Sequence, residues 1–298
     1  MTLSLRPFAP ADAEAVAEII GDYETAHSDA TDRPAADDIV DWTRRVDLGA
    51  VVVEGSGGQI LGAGFLRGRG TFSIADHFVH PDSRGLGVGS LLLDWGEERT
   101  REAGLDAVRA AATARDEDGR ALFASRGYAY IRSFYRMVID LETQPVAPAW
   151  PAGFAVALEP EQEQALYETL EEAFEDHWGH QPRTFDEWMK VNGPLSERIC
   201  YLVRTEDGTP AAAQICDEER WGTSWVSILG VRTPWRKHGL GEALLRQAFH
   251  DLYARGRRRV ALGVDAENTT GATRLYERVG MRVVVQDDAY EKLLGQHH

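Results

Sequence analysis

An internal repeat constrains the fold of this 298-residue chain more than any other feature. Val79 and Val231 each end an extended apolar run, and each is followed five residues later by an arginine and then by a glycine-rich loop and a leucine-rich stretch. The valine, the arginine and the loop glycines of the second copy lie 152 positions after their counterparts, which is about half the chain. Two copies at this spacing predict a tandem duplication of a domain, not a single large domain.

The sequence between the copies is typical of a linker. Residues 145–151 are uncharged and rich in proline and alanine, which favours a stiff connection. We therefore expect a first domain over 1–144, a linker over 145–151 and a second domain over 152–298. Strands and helices follow one another in both halves, which predicts the α+β class, with α/β layers in which a mixed central sheet is flanked by helices. In the second half the patterns predict strands at 154–158, 199–204, 211–216, 225–231 and 259–264 and helices at 161–175, 185–191, 240–255 and 270–279.

Composition excludes several classes of function. The chain carries 48 acidic and 32 basic side chains, a net charge of −16, which argues against nucleic acid or an anionic membrane as partner. No apolar run reaches the roughly 18–20 residues that span a bilayer, and the first residues lack the apolar core of a signal peptide. We expect a cytoplasmic protein in which Cys200 and Cys216 are reduced, buried thiols. The alternative is that the two cysteines face each other across a hairpin.

Two glycine-rich loops, around Gly87 and Gly239, are the strongest candidates for a ligand site. Each lies between a predicted strand and a predicted helix, and glycine lets backbone N–H groups approach a ligand because no Cβ stands in the way. The helix that follows adds unpaired N–H donors and the positive end of its dipole, which suits a pyrophosphate. A plain strand–helix turn is the alternative, but it is weakened because the pattern occurs twice.

Two other phosphate-binding motifs do not fit these loops. A dinucleotide-binding fingerprint requires a third glycine, but Ser90 and Leu244 occupy that position. A P-loop requires Gly-Lys followed by Ser or Thr, and neither loop carries that sequence. We therefore exclude both motifs.

The loop of the second half resembles the acyl-CoA loop of the GNAT superfamily of N-acetyltransferases. That loop has the form Arg or Gln, two residues, Gly, one residue, Gly or Ala, and both halves satisfy it. The resemblance implies two tandem GNAT-like domains in which the loop amides hold the pyrophosphate of acetyl-CoA and the preceding strand pairs with its pantetheine. The acetyl-CoA-binding residues that it implies are Leu229, Gly230, Val231, Arg236, Lys237, His238, Gly239, Leu240, Gly241 and Asn268 in the second half, and His77, Phe78, Val79, Arg84, Gly85, Leu86, Gly87, Val88 and Gly89 in the first.

Tyr276 is the candidate general acid. It shares an apolar stripe at helical spacing with Ala272, Leu275 and Val279, so its side chain is expected to point towards the sheet. A tyrosine, with a pKa of about 10, can reprotonate a departing thiolate, although a half-buried core aromatic would show the same spacing. In GNAT proteins an asparagine eight residues before such a tyrosine contacts pantetheine, so the resemblance implies these roles for Asn268 and Tyr276.

The first half lacks the corresponding pair. Phe123 stands where the tyrosine is expected and has no hydroxyl, and Arg115 stands where the asparagine is expected. We therefore predict a catalytic second domain beside a degenerate first domain, and leave open whether the first domain binds CoA.

The general base is less sharply defined. An alkyl amine with a pKa of about 10 is almost wholly protonated at pH 7, so acyl transfer needs a group that takes its proton. Asp176 and His177 are candidate catalytic residues, because they lie between the first two helices of the second half, where GNAT acceptor sites are usually walled. Asp265, Glu267 and a water chain are alternatives, and an aromatic loop packed over the domain edge would explain Asp176 and His177 without catalysis.

These features predict an acetyl-CoA-dependent N-acetyltransferase that acts without a metal on a primary amine of a small molecule, such as an amino sugar, an antibiotic or a mycothiol-precursor-like amine. The length and the asymmetric halves resemble those of the mycothiol synthases, but Trp225 occupies the position of their catalytic glutamate. A protein or peptide N-acetyltransferase and a non-catalytic acyl-CoA-binding protein are alternatives. We expect a monomer with an internal pseudo-dimer, not a homodimer.

Overall fold

The computed structural model describes residues 2–157, 162–268 and 270–295. Within these ranges the chain forms two compact units. Unit 1 takes its residues from 1–135, 265–267 and 283–298, and unit 2 takes its residues from 136–264 and 268–282. Each unit therefore contains one copy of the repeated glycine loop.

Unit 1 has a mixed sheet with helices. Its first four strands pair antiparallel in chain order, the fourth and fifth strands pair in parallel, and the last strand of the chain pairs antiparallel with the fifth. The elements are β1 (Ser4–Pro7), α1 (Ala13–His27), α2 (Ala36–Thr43), β2 (Gly49–Glu54), β3 (Ile60–Arg69), β4 (Phe72–Val79), α3 (Val88–Glu102), β5 (Ala107–Thr113), α4 (Glu117–Ser125), the first part of β6 (Ala129–Asp140) and nearly all of β12 (Arg282–Leu293).

Unit 2 repeats this plan. It contains the end of β6 and its own antiparallel run of four strands, the last of which pairs in parallel with a fifth. Its elements are β7 (Phe154–Ala157), α5 (Glu163–Phe174), α6 (Phe185–Asn192), β8 (Ile199–Thr205), β9 (Pro210–Arg220), β10 (Thr223–Val231), α7 (Leu240–Ala254), β11 (Arg259–Asp265) and α8 (Ala272–Arg278).

Local sequence signals explain several of these boundaries. α6 begins after Thr184, whose hydroxyl accepts a hydrogen bond from the Glu187 amide while the Glu187 carboxylate accepts one from the Thr184 amide. Trp221 and Gly222 have φ values of 56° and 74°, so they form a two-residue turn with both residues in the left-handed region. This turn extends β9 to Arg220, beyond the predicted end at residue 216.

One core layer of unit 2 lies between its sheet and the helices α5 and α6. Leu166, Leu170 and Trp188 of these helices pack with Leu202 of β8 and Ile215 of β9 in one buried cluster. The middle of β9, from Ala211 to Cys216, is buried throughout, because neighbouring strands cover both its edges and side chains cover both its faces.

The two cysteines lie on neighbouring strands of unit 2. Cys200 of β8 stands opposite Ile215, and Cys216 of β9 stands opposite Ile199, so the thiols are one register position apart and point to opposite faces. Burial raises the pKa of Cys200 to about 11 and that of Cys216 to about 12. Both are free cysteines that stay protonated at neutral pH.

The predicted α+β class with a mixed sheet flanked by helices is confirmed. The strands and helices predicted for the second half are also present, with ends that differ by a few residues. Residues 158 and 161 of those predictions lie outside the described residues. Among the described residues, no helix is both long and apolar enough to cross a membrane.

The last strand joins a unit that its position in the sequence does not suggest. β12 follows the second copy of the repeat, but its residues from Asp287 to Leu293 pair with β5 of unit 1. Residues 136–144 likewise group with unit 2. The compact units therefore differ from the segments 1–144, 145–151 and 152–298, because a strand's hydrophobic pattern does not specify which sheet edge it completes. Those segments remain a prediction for the limits of the duplication.

Candidate active site

The centre of the candidate site in unit 2 is a split between two parallel strands. β10 pairs with β11 only from Ser224 to Val226, and the register against β9 shifts between Val226 and Ile228. From Ile228 to Val231, β10 continues to pair with β9. The other edge of this segment therefore has no ladder partner in β11 and can pair with an extended ligand.

Unit 1 has the same split. β4 pairs with β5 only as far as Ala75, although β4 continues to Val79 and pairs with β3 over its whole length. In both units, therefore, the strand separates from its parallel neighbour before it ends at Val79 or Val231. The repeat predicts that these two strand ends correspond, but the separation of the strands could be seen only from their pairing.

The glycine loops of the two units share one backbone conformation. Gly85 and Gly87 have φ values of 73° and 89°, and the corresponding Lys237 and Gly239 have values of 68° and 83°. A left-handed conformation costs a residue with a Cβ roughly 1–2 kcal/mol, so Lys237 is held there by the surrounding loop. The repeated sequence thus produces two copies of one loop geometry.

The N-terminus of α7 is suited to bind an anion. Gly239 is its N-cap and offers no capping side chain, so the N–H groups of the first turn, from Leu240 and Gly241, point towards the loop without a side-chain acceptor. The helix dipole adds partial positive charge at this end. In unit 1, Gly87 caps α3 in the same way, followed by Val88.

The last glycine of each loop serves helix packing. A Cβ at Gly241 would lie 3.0 Å from Cδ2 of Leu275 in α8, and a Cβ at Gly89 would lie 2.9 Å from Cδ2 of Leu122 in α4. These glycines allow the helix after the loop to approach the next helix. Helix packing therefore explains why these two positions lack a Cβ, and the contact of their backbone N–H groups with a ligand stays a prediction.

The Arg236 guanidinium holds protein atoms together. It donates hydrogen bonds to the carbonyl oxygens of Val231 (3.1 Å) and Ala173 (3.0 Å), and it lies 3.5 Å from the carboxylate of Asp176. It thereby joins the end of β10 to the end of α5. Since the side chain is used in this way, the loop can contact a ligand mainly through its backbone.

Arg84 plays a different structural part in unit 1. Its guanidinium pairs with Asp116 at 3.0 Å and Asp118 at 3.4 Å, at the start of α4.

In the second loop, the His238 ring contacts the carbonyl oxygen of Arg236 at 3.0 Å. Leu86 is exposed, in agreement with a position at the loop tip.

Tyr276 lies in α8 with its ring almost fully buried, at 8% exposure. Burial raises the pKa of its hydroxyl to about 12, so the group stays protonated at neutral pH and can give a proton. No hydrogen bond from the described residues engages this hydroxyl. Asn268 lies before α8 and uses its amide oxygen to accept hydrogen bonds from the backbone N–H (2.7 Å) and the hydroxyl (2.5 Å) of Thr270.

The candidate bases are dispersed. Asp176 is 70% exposed and next to Arg236, while the ring of His177 packs against Phe174 with centroids 4.6 Å apart. Asp265 and Glu267 belong to unit 1, where the Arg132 guanidinium approaches their carboxylates at 2.5 and 3.3 Å. The structure thus does not bring the two sets of candidates together.

Sequence reasoning missed a polar cluster beside the split. Asp217 of β9 stands opposite Trp225 in the ladder, accepts a hydrogen bond from the Ser227 hydroxyl and lies 2.6 Å from Nε of Arg198. A search along β10 alone finds no carboxylate, because this one is contributed by the neighbouring strand. No group of three or more His, Cys, Asp or Glu within the described ranges could hold a metal ion.

The strand end of unit 1 is surrounded by aromatic rings. Phe78 contacts Tyr23 and Trp42, with centroids 5.8 and 6.0 Å away, and the Tyr23 hydroxyl accepts a hydrogen bond from the Thr113 amide at the end of β5. Tyr23 of α1 thus crosses the opening between β4 and β5. Phe123, at the position of the missing tyrosine, is buried against Tyr128 and Tyr290.

His77 of β4 directs its side chain into the core of unit 1. Cβ atoms added at Gly64 and Gly96 would lie 3.1 and 3.2 Å from its ring, and both ring nitrogens are buried without a hydrogen-bond partner. Burial lowers the pKa of His77 to about 4. Only its backbone remains available for the predicted contact with a ligand.

Comparison with known proteins defines the class. A model of the acetyltransferase (GNAT) family matches the chain twice, over residues 14–128 and 163–281, so the chain belongs to this family. A mycothiol acetyltransferase of Nocardiopsis dassonvillei is 29% identical over 266 residues, which cover 78% of each chain.

Solved structures agree. A GCN5-related N-acetyltransferase from Sphaerobacter thermophilus is 31% identical, with a TM-score of 0.86 over 99% of this chain and 98% of that one. A tandem GNAT protein from the clavulanic acid biosynthesis pathway is 19% identical, with a TM-score of 0.77 over the full length of both chains, and shows the shared fold. The predicted family and tandem architecture are thus confirmed.

Proposed function

We propose that unit 2 transfers the acetyl group of acetyl-CoA to a primary amine of a small molecule. The observation that carries this proposal is the continuity of three features: the split end of β10, the loop from Arg236 to Gly241, and the uncapped N-terminus of α7. Membership of the GNAT family and the names of the mycothiol acetyltransferase relatives support a small acceptor. Amino sugars, antibiotics and mycothiol-precursor-like amines are the classes to test.

The chain supplies complementary groups for each part of acetyl-CoA. N–H groups of Gly239, Leu240 and Gly241, with the dipole of α7, favour the negatively charged pyrophosphate. The open edge of β10, from Leu229 to Val231, offers backbone donors and acceptors to the pantetheine amides. Arg236 keeps these two surfaces together, because it bonds to the last residue of the strand and belongs to the loop.

Acetyl transfer requires that the amine nitrogen bond to the thioester carbon while the carbon–sulfur bond breaks. The chain's contribution is to bind the neutral amine, to stabilise negative charge on the carbonyl oxygen and to protonate the departing sulfur. Backbone N–H groups on the open edge of β10 are suited to the oxygen. The Tyr276 hydroxyl gives its proton to sulfur, and the proton lost from nitrogen returns through solvent to the tyrosine.

Unit 1 does not catalyse this reaction in our proposal. Phe123 has no proton to give, and Tyr23, Trp42 and Phe78 occupy the surroundings of its split. The chain acts as a monomer, because the duplication supplies both copies of the domain. Light scattering should then give a mass near 33.0 kDa, and a mass twice as large would contradict this.

Native mass spectrometry with acetyl-CoA tests the site. We compare Gly239→Glu with Gly87→Glu, a matched pair in which both glycines are helix N-caps with positive φ and the new carboxylate faces an anion site. One acetyl-CoA per chain, lost only in Gly239→Glu, is the expected result. A complex that survives Gly239→Glu and disappears in Gly87→Glu would move the site to unit 1, and no binding would overturn the proposal.

Turnover is measured as CoA release with glucosamine, L-cysteine and kanamycin as acceptors. We expect repeated turnover with at least one of these primary amines. Binding of acetyl-CoA without release of CoA with any of them would contradict the proposed small-molecule activity.

A further inference from the structure

The polar cluster of Asp217, Ser227 and Arg198 has no part in holding the loop or Tyr276. One oxygen of the Asp217 carboxylate accepts a hydrogen bond from the Ser227 hydroxyl, and the other lies 2.6 Å from Nε of Arg198. Trp225, opposite Asp217, has a buried indole N–H without a hydrogen-bond partner. The indole N–H is thus an unused donor on the same strand pair as the carboxylate and the hydroxyl.

The cluster stands at the point where the strands separate. Val226 is the last residue of β10 that pairs with β11, and Ser227 is the extra residue in the register shift that follows. Register shifts of this kind redirect a side chain and are common next to active sites. Ser227 therefore leaves the regular alternation and reaches the carboxylate on the neighbouring strand.

The cluster and the glycine loop approach the split from opposite faces of the sheet. Ile215 and Ile228 pack with α5, and Asp217 lies two residues after Ile215, on the same face. Leu229 and Val231 face the other way, since their side chains lie within 3.9 Å of a Cβ added at Gly241 in α7. An acyl group that enters from the α7 face would thus meet a second reactant that enters from the α5 face.

We propose that Ser227 and Asp217 bind and orient the reactive nitrogen of the acceptor, on the α5 face of the split. This inference rests on the proposed acetyltransferase function. Because the Ser227 hydroxyl donates its hydrogen bond to Asp217, its oxygen lone pairs remain available to accept an N–H of the amine. The Arg198 guanidinium, with its Nε 2.6 Å from the other carboxylate oxygen, balances the charge of Asp217.

The charge of the cluster defines the form of amine that it takes. Asp217 is the one carboxylate in the described cluster, and guanidinium groups approach it from Arg198 at 2.6 Å and from Arg220 at 4.0 Å. The cluster therefore has no excess negative charge that would bind an ammonium ion. It suits a neutral primary amine, in which one N–H bonds to Ser227 and the nitrogen lone pair stays free to attack.

Steady-state kinetics with Ser227→Ala and Asp217→Asn test this assignment. The acceptor is whichever of glucosamine, L-cysteine and kanamycin the wild type uses with the highest kcat/KM. We expect the KM for this amine to rise roughly 10-fold in Ser227→Ala, the range of losing one well-oriented hydrogen bond in a buried site, and by roughly 3–10-fold in Asp217→Asn, which keeps an acceptor oxygen but alters the group that orients Ser227. The Kd of acetyl-CoA should stay within twofold, and Ser227→Thr should restore the KM.

Glu218→Gln is the matched control, because Glu218 is the next residue of β9 and pairs with Arg255 at 3.0 Å on the other face. It should behave as the wild type. An amine KM unchanged in both Ser227→Ala and Asp217→Asn would overturn the inference and leave the proposed function intact. An equal weakening of acetyl-CoA binding would assign the cluster a structural role, which also overturns it. A wild type that binds no acetyl-CoA or acetylates none of the amines refutes both proposals together.

Discussion

Acidification should destabilise unit 1 through His77. The ring is buried among β3, β4 and α3, and both nitrogens lack partners, so burial lowers its pKa from about 6.5 to about 4. In the unfolded chain this histidine takes up a proton at a higher pH than in the folded chain. Its contribution to stability is therefore complete above about pH 6.5 and is lost progressively as the pH falls towards 4.

The size of the effect follows from the two pKa values. A difference of about 2.5 units corresponds to roughly 3 kcal/mol over the whole window, and to roughly 2 kcal/mol at pH 5. We expect His77→Leu to abolish this part of the loss of stability on acidification, because leucine carries no titratable group. At pH 7.5 the variant should lie within about 1 kcal/mol of the wild type, since it also removes an unpaired buried N–H.

Hydrogen–deuterium exchange of peptides from β3 and β4 measures this local stability. The protection of these amides is compared as the ratio of His77→Leu to wild type. This ratio should be roughly 30-fold larger at pH 5 than at pH 7.5. His80→Leu, which changes a half-buried histidine just after β4, is the control for replacing a nearby histidine by leucine. The reasoning fails if wild type and His77→Leu lose protection in parallel, or if NMR shows the His77 ring titrating near 6.5.

Two further substitutions test the loop and the general acid. Tyr276→Phe should lower kcat by roughly 10²–10⁴-fold, the range for loss of a general acid, with acetyl-CoA binding retained in native mass spectra; an unchanged kcat would remove Tyr276 from the mechanism. Lys237→Gly should stabilise the chain without ligand by roughly 0.5–1 kcal/mol, because it relieves the left-handed conformation at φ 68°, and Gly85→Lys at φ 73° should destabilise it by a similar amount. Thermal unfolding of both variants checks the loop equivalence, which is wrong if the two shifts have the same sign.

The repeat made the architecture predictable from sequence. Strand, glycine loop and helix signals are local, and each occurs at matching positions in both halves, so the family and the tandem plan could be inferred before any contact was known. Tyr276 could also be predicted from the sequence, because helical spacing puts it on the buried stripe of α8. The difference between Tyr276 and Phe123 in the two halves needs only the alignment of the copies.

Side-chain partners were not predictable at the same level. The hydrogen bonds of Arg236 to the carbonyl oxygens of Val231 and Ala173 could not be predicted, because Ala173 belongs to a helix 63 residues away in sequence. Gly241 was expected to admit a ligand, and its contact with Leu275 depends on how α7 and α8 pack. Such contacts arise between segments that have no fixed sequence separation.

The amino-acid sequence by itself determined the duplication, the positions of the two glycine loops and the single hydroxyl on the second copy of the helix, since these depend on residues close together in the chain. Only the tertiary structure decided that β12 completes the sheet of unit 1 and that Asp217 stands opposite Trp225. The physical reason is that strand register and sheet edges are selected by hydrogen-bond pairing between distant segments, where a shift of one residue changes the face on which a side chain lies.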